Sequence, residues 1–429
     1  MMHCPPAFFD PRAERPHSSY GSLPMKRSFV IDIGSSKVSF LDASASGGAL
    51  VINRFETCPY AGYSLGRLPS AAFLSEAVDE LLSMASQRFE LRARTVSIGI
   101  PAPFIESLST FHEVKTPSGR VTENDLDYLI ECAEEVDTPS GFVLMHTTPY
   151  EYAVNGLCCG GSPIGLHSTK LSAGFCHAFA DERLVSLISE AVDSAGWRMG
   201  SLISSPTACA SFTIPFNARL NGAVLIDCGA SHCDVSAIKG NAVLRTESFG
   251  IGGAHFANDI AYGFDLSPAA ADELKRAYCF GLDYSHSSEP VRVQSDPSLL
   301  VDPLDLQLIV EARADEFADR LIYALDSFVG VIPAGAPVYL VGGGLSDMRG
   351  CIDFLSKRTG RSIIANAPKA GKLSGVRHAP TLSLAHFMLY DGDIDERGYS
   401  ALESGANRVL GGVKEFFNMG AIARKNKKD

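Results

Sequence analysis

Two segments far apart in the chain carry residues that could do chemistry, and they repeat one design. The first is Phe29-Val30-Ile31-Asp32-Ile33-Gly34-Ser35-Ser36-Lys37-Val38-Ser39; the second is Val224-Leu225-Ile226-Asp227-Cys228-Gly229-Ala230-Ser231-His232-Cys233-Asp234. Each is a buried-strand run, then Asp-x-Gly, then small polar residues, then a second strand. That is the pattern of a β-hairpin whose tight turn exposes backbone N–H groups, which suit a phosphate chain. Gly34 and Gly229 permit close backbone approach. Asp32 and Asp227, at the strand ends, could each hold a water on Mg²⁺, and Lys37 could place a point charge on a phosphate. A lone Asp-x-Gly is a common turn; two copies in matched context are not, and they predict a phosphate clamp.

Three further clusters fit around such a clamp. Gly342-Gly343-Gly344 follows a buried-type strand and would let a flat ring such as adenine lie against backbone; a plain strand-to-helix turn is the bland alternative. Gly250-Ile251-Gly252-Gly253 precedes a helix start at Ala257-Asn258-Asp259, so free N–H groups there could face phosphate, or the turn could serve packing alone. Asp272 and Lys275 lie one turn apart on a helix and could flank a ribose, although such a pair is ordinarily a solvated ion pair worth under ~1 kcal/mol.

Elements that would position these residues alternate between strand and helix over residues 26–390, which predicts an α/β fold. Leu74, Val78, Leu81, Leu82 and Ala85 mark a helix over 71–86. Thr95–Ile100 reads as extended and is ended by Pro101 and Pro103. Residues 95–178 read as an inserted unit, whose helix starts at Thr122 with Asp125 completing a capping box. Ser267-Pro268 reads as a helix start, and the spacing of Leu306, Val310, Phe317, Leu321 and Leu325 predicts a long helix over 304–328. After Tyr390 the periodicity ends. Residues 391–408 read as a polar linker. Val409, Leu410, Val413, Phe416 and Phe417 then share one helical face ahead of a basic cluster at 424–428, as in a short helix lying in a lipid interface. Gly411 and Gly412 weaken that helix by about 1 kcal/mol each relative to alanine.

Composition sets bounds. A formal net charge of −12 argues against nonspecific nucleic-acid binding, which needs a basic face. The sequence has no apolar run long enough for a transmembrane helix. None of the eleven cysteines forms a C-x-x-C pair, so structural zinc is not expected and reduced, packed thiols are. Residues 1–25 read as a disordered tail without an apolar secretory core; an upstream start codon would also account for them.

The ordered set of motifs resembles the actin/Hsp70/sugar-kinase superfamily, and within it the FtsA family of bacterial cell-division proteins. Resembling residues include Val121 to Asp125, His146 to Tyr152, Pro163-Ile164-Gly165, Gly252-Gly253 with Asn258 to Ala261, Val310 to Arg313, and Gly342 to Gly344. The unit at 95–178 resembles the extra subdomain that sets this family apart from actin. The resemblance implies a two-lobed actin-like α/β fold of duplicated ribonuclease-H-like subdomains. In it, 26–94 with 179–215 form subdomain 1A, 95–178 form 1C, 216–254 with 331–390 form 2A, and 255–330 form 2B. It implies ATP and Mg²⁺ between the lobes, with Asp32 and Asp227 organising the metal. Gly34 to Lys37 and Gly229 to His232 would hold phosphates, and Gly252, Gly253, Asp272, Lys275 and Gly342 to Gly344 the nucleoside. It further implies filaments, recruitment of the tubulin-like FtsZ ring, and a peripheral position on the cytoplasmic face of the membrane through residues 409–429.

The second hairpin departs from the family pattern Asp-x-Gly-Gly-Gly-Thr: Ala230, Ser231 and His232 stand where two glycines and a threonine are usual. Asp272 replaces a usual Glu. ATP binding with slow or absent hydrolysis is the expectation, and no residue is assigned a catalytic role. Two rivals are a type IV pilus assembly protein similar to PilM, which typically lacks an amphipathic tail, and a sugar-kinase-like phosphotransferase, for which no sugar-binding signature accompanies Asp227 or Asp234.

Overall fold

The computed structural model describes residues 27–46, 49–86, 95–284, 289–368 and 373–390. The expected tail at 1–25, the linker at 391–408 and the lipid-facing Val409, Leu410, Val413, Phe416 and Phe417 lie outside the described residues.

The first lobe opens with β1 (Arg27–Ile33), β2 (Lys37–Ser46) and β3 (Ala49–Pro59), an antiparallel meander. The helix α1 (Ala71–Ser86) follows, then β4 (Thr95–Ile100) beside β1 in parallel. Strand β4 is buried at every position after Thr95, as expected for a parallel strand covered on both faces. The helix α1 buries Leu74, Ala77, Val78, Leu81, Leu82 and Ala85 on one face, against Ile31, Ile33, Val96 and Ile98 of the sheet. Each large aliphatic so buried is worth about 1.5–3 kcal/mol.

The inserted unit comprises β5 (Ile105–Lys115), α2 (Glu123–Glu134), β6 (Phe142–Val154), β7 (Leu157–Cys159) and β8 (Lys170–Asp181). Its sheet has the order β5-β8-β6-β7, and α2 packs on it through Leu126, Leu129, Ile130 and Ala133 against Val114, Leu171 and Phe175. The unit is therefore narrower than the expected 95–178. Residues 95–100 are a central strand of the first sheet, and it is Pro101 and Pro103 that break the chain out of that sheet. The capping box is present: Asp125 N–H donates to Thr122 Oγ1 at 3.2 Å, and Thr122 N–H donates to Asp125 Oδ2 at 2.8 Å. Thr122→Ala is expected to cost about 1 kcal/mol of stability, read from the denaturant midpoint at unchanged slope.

The chain returns to the first lobe through α3 (Glu182–Ser194), β9 (Arg198–Ser204) and α4 (Ser205–Thr213). Strand β9 pairs with β4 and completes the order β3-β2-β1-β4-β9.

The second lobe starts after α5 (Phe216–Asn221) with β10 (Ala223–Cys228), β11 (Cys233–Lys239) and β12 (Ala242–Phe249). The helices α6 (Gly253–Phe264) and α7 (Pro268–Ala277), the short strands β13 (Val291–Arg292) and β14 (Leu300–Val301), and the long α8 (Pro303–Asp326) follow. Strand β15 (Val338–Val341), α9 (Cys351–Thr359), β16 (Ile363–Ile364) and α10 (Ala379–Tyr390) end the described chain. The second sheet reads β12-β11-β10-β15-β16. Both five-stranded sheets thus have three antiparallel strands followed by two parallel ones, a duplicated topology. One element crosses between lobes. Residues 331–390 are expected in the second lobe, but Leu382, Leu384, Ala385 and Leu389 of α10 pack with Val30, Leu41 and Ala43 of the first sheet. The sequence of α10, with Thr381, Ser383 and His386 scattered among apolar residues and no single apolar stripe, does not reveal which sheet it covers.

Candidate functional site

The two hairpins fold alike. Gly34 N–H donates to the Lys37 carbonyl at 2.9 Å, and Gly229 N–H donates to the His232 carbonyl at 3.0 Å. Asp32 lies opposite Ser39 across the first hairpin and Asp227 opposite Asp234 across the second. Lys37 and His232 are therefore equivalent positions, five residues after their aspartates.

Between the hairpins lies a cleft of about 390 Å³, inside the range of small-molecule sites. Its walls include Asp32, Gly34, Ser35, Ser36 and Lys37 from the first lobe. From the second they include Asp227, Gly229, Ala230, His232, Gly253, Asp272, Lys275, Gly342, Gly343 and Gly344. Ser231 sits at the junction of the hairpins: its N–H donates to Ser35 Oγ at 3.2 Å and its hydroxyl donates to the Tyr63 carbonyl at 3.3 Å. Gly252 is not on the cleft wall.

Two carboxylates on the cleft wall are perturbed in the same direction. Desolvation raises Asp32, although the hydroxyl of Thr381, donating at 2.6 Å, and the charge of Lys37 oppose it. Desolvation, then repulsion from Asp234 and Asp32, pushes Asp227 up to about 7, with His232 opposing. Facing carboxylates held against their own charge are a donor set that a hard divalent cation would relieve. Among the described residues, no group of three or more His, Cys, Asp and Glu could hold a metal by itself. A cation there would complete its shell with ligand oxygens and water.

His232 is buried and does not reach for a ligand. Its Nε2 lies 3.2 Å from Asp234 Oδ2 and its Nδ1 lies 3.0 Å from Ser231 Oγ. The Ser231 hydroxyl thus joins His232 to the Tyr63 carbonyl, while the other edge of the imidazole meets the Asp234 carboxylate. Consistently, burial alone would lower the imidazole, but the hydrogen bond and charge of Asp234, helped by Asp227, raise it overall. The ring tilts on Tyr63 at a centroid distance of 5.3 Å, and Ser248 Oγ donates to Asp234 at 2.5 Å. His232 therefore fixes the hairpin from behind.

The glycine clusters have distinct parts. A Cβ on Gly344 would stand 2.2 Å from the Gly229 carbonyl oxygen, and one on Gly253 would stand 2.4 Å from the Gly344 carbonyl oxygen. A Cβ on Gly252 would stand 2.5 Å from the Ala230 carbonyl oxygen. These glycines let the turn, the start of α6 and the second hairpin close on one another. The N–H groups of Gly253 and Ala254 donate to the carbonyls of Gly229 and Ala230 at 3.0 and 2.8 Å, so the first turn of α6 braces the hairpin. Gly343 differs: a Cβ there would meet nothing nearer than Arg377 Cβ at 3.5 Å.

Lys275 is buried rather than solvated, and its ammonium is lowered by burial against the pull of Asp272. Asp272 Oδ1 lies 3.7 Å from Lys275 Nζ, while Asp272 Oδ2 holds Arg276 at 2.6 Å. The cleft also contains residues that the sequence reading does not select: Asp234, Tyr63, Arg276, Arg377 and Thr381. Asp234 had a signal, since counting back across the hairpin places it opposite Asp227. Thr381 had none, because α10 reaches the first lobe only through tertiary packing.

The comparisons agree with this architecture. The family model described as cell division protein FtsA matches residues 224–385, and that described as the SHS2 domain inserted in FtsA matches 104–177, close to β5 through β8. The chain is 24% identical over 331 residues to the cell division protein FtsA of Pseudomonas aeruginosa, covering 76% of this chain and 79% of that protein. It is 23% identical over 370 residues to the cell division protein FtsA of Neisseria meningitidis, covering 84% and 89%. Among solved structures, the PilM-PilN type IV pilus biogenesis complex superposes with a TM-score of 0.57 at 18% identity, over 85% of this chain and 99% of that one. At that identity the likeness speaks to the fold alone. With both its core and its inserted subdomain matched by models of one family, and curated members of that family aligned over most of its length, the chain belongs to the FtsA family of cell-division proteins.

Proposed function

We propose that this chain binds ATP with Mg²⁺ in the cleft and couples a filament of an FtsZ-like tubulin homologue to the cytoplasmic face of the membrane at the division site. The observation that carries the nucleotide half is the pair of matched hairpins. They bring two tight turns and two carboxylates, both raised by burial, to one cleft. Asp32 and Asp227 would hold the cation, which when bound supplies positive charge between carboxylates and phosphates. The turns Gly34 to Lys37 and Gly229 to Ser231 would border the phosphates, with Ser35, Ser36, Lys37 and Ala230 as the donors toward them, and Lys275 with Gly343 would take the nucleoside side of the cleft.

Retention of the nucleotide, with slow or absent hydrolysis, fits the second hairpin. Ser231 and His232 spend their polar atoms on Ser35, Tyr63 and Asp234, and no side chain is assigned to activate water. The family membership supports the division role. Self-association into filaments belongs to the same reading.

Membrane attachment rests on residues 409–429, where Val409, Leu410, Val413, Phe416 and Phe417 precede a basic cluster. The full chain is expected to float with anionic liposomes, and a 1–405 truncation is expected to stay with the soluble fraction. Equal flotation of the two would defeat the tether. Co-sedimentation of the full chain with FtsZ polymers tests the partner, and its absence would remove FtsZ from the proposal.

A further inference from the structure

Cys228 and Cys233 face each other as a registered pair at the base of the second hairpin. The turn bond from Gly229 N–H to the His232 carbonyl makes Gly229 and His232 a hydrogen-bonded pair. Alternation along an antiparallel ladder makes the next pair, Cys228 with Cys233, a non-hydrogen-bonded one. At such positions the Cα atoms come to about 4.5 Å and the side chains lie closest. A disulfide accepts Cα separations of about 4.4–6.8 Å, so the strand geometry already meets its requirement. Both side chains point into the same buried cluster of the second lobe. Both cysteines are free and buried.

The first hairpin provides an internal control. Its equivalent pair is Ile33 with Val38, also buried and also registered. The place in the fold asks only for apolar bulk, yet the second hairpin fills it with two thiols. These thiols adjoin the cleft. The Cys228 carbonyl accepts from Gly344 N–H at 2.8 Å, and Cys228 Sγ would lie 2.8 Å from a Cβ on Gly344, so the sulfur sits directly beneath the glycine turn.

We propose that Cys228 and Cys233 are a redox modification site, closing a reversible disulfide across the phosphate hairpin when a small peroxide reaches the glycine turn during a local opening. The Cys228 sulfur attacks one peroxide oxygen, the O–O bond breaks, and a sulfenic acid forms while the thiol proton leaves with the departing hydroxide as water. The Cys233 sulfur then attacks the sulfenic sulfur, the S–O bond breaks, and the proton of Cys233 leaves with the departing hydroxide as water. Two thiols and one hydrogen peroxide give one disulfide and two waters. A small dithiol reverses the bond by thiol–disulfide exchange. The link would staple the four-residue loop Gly229-Ala230-Ser231-His232 at its base and draw the Cys228 sulfur from beneath Gly344.

The test uses the full chain and does not depend on nucleotide binding. The protein is treated with hydrogen peroxide, its remaining thiols are alkylated in denaturant, and its peptides are mapped by mass spectrometry. Cys158, exposed on β7, reports that oxidant was effective. The expected result is one linked species joining the Cys228 and Cys233 peptides, two hydrogens lighter, in most molecules. It is lost in Cys228→Ser and in Cys233→Ser, and it is reversed by a dithiol. Recovery of Cys228 and Cys233 as alkylated thiols while Cys158 is fully oxidised would overturn the proposal, as would a link from Cys228 to Cys351 instead.

Discussion

Gly342→Ala destabilises the protein by about 3 kcal/mol and weakens Mg–ATP binding by roughly tenfold or more, whereas Gly343→Ala changes stability by less than about 0.5 kcal/mol. The contrast follows from adjacent residues with opposite surroundings. Gly342 has φ +89°, a left-handed backbone that an L side chain rarely adopts. A Cβ there would stand 2.4 Å from the Cys228 carbonyl oxygen and 2.5 Å from Asp227 Oδ1. The first obstacle is backbone in the middle of the second sheet and yields little; the second is the carboxylate expected to meet the cation. Overpacking and backbone strain each cost on the order of 1–3 kcal/mol, and displacement of Asp227 adds the loss in affinity. Chemical denaturation read with titration calorimetry separates the two effects. Equal costs for Gly342→Ala and Gly343→Ala would show that the turn does not pack against the hairpin in this way.

Asp227→Asn is expected to stabilise the ligand-free protein near neutral pH and to reduce the stabilisation that Mg–ATP gives the native chain by about 1 kcal/mol or more. The sign follows from linkage. Asp227 is raised in the folded protein from an ordinary value of 3.8 to about 7, so the folded state binds the extra proton between those values. Its contribution to stability is fully present below the ordinary value and is lost as pH rises toward and through about 7, at roughly 1 kcal/mol per pH unit. Asparagine keeps the shape without the charge. The stability of the variant relative to the native chain should therefore rise between about pH 4 and pH 7, reaching about 3 kcal/mol at neutral pH. Asp32, raised in the same direction, keeps a residual slope in the variant. With Mg–ATP present the variant's advantage narrows, because the native carboxylate then has a cation to meet. Melting temperatures at several pH values, with and without Mg–ATP, check both halves; a variant that melts lower without ligand and gains as much from Mg–ATP as the native chain would refute the assignment of Asp227.

The sequence was most legible where local pattern decides the outcome. Strand runs, the Thr122 capping box, the Ser267-Pro268 helix start and the two Asp-x-Gly turns are short-range features, and each appears where its residues predict. Features set by tertiary contact were not legible. The helix α10 has no single apolar stripe, so nothing in its pattern says that it leaves the second half of the chain for the first sheet, and Thr381 reaches Asp32 only because it does. His232 read as a residue that would either crowd or contact a phosphate, but its partners Ser231 and Asp234 turn it inward. The glycines of the Gly342-Gly343-Gly344 turn read alike as a surface for a flat ring. In the fold Gly342 and Gly344 serve close packing against the hairpin, and Gly343 alone has room toward the cleft. The edge of the inserted unit moved because β4 is apolar enough to read as either a core strand or an insertion strand, and only its pairing with β1 and β9 decides.

The central claim is that the two hairpins form one polyphosphate site that depends on a cation. Titration calorimetry of the full chain with ATP measures it directly, in Mg²⁺ and in excess chelator. The account predicts saturable binding of one ATP per chain in Mg²⁺, weakened at least tenfold by chelator and by Asp227→Asn. No binding at millimolar Mg–ATP, or binding of equal strength in chelator and in the variant, would contradict it.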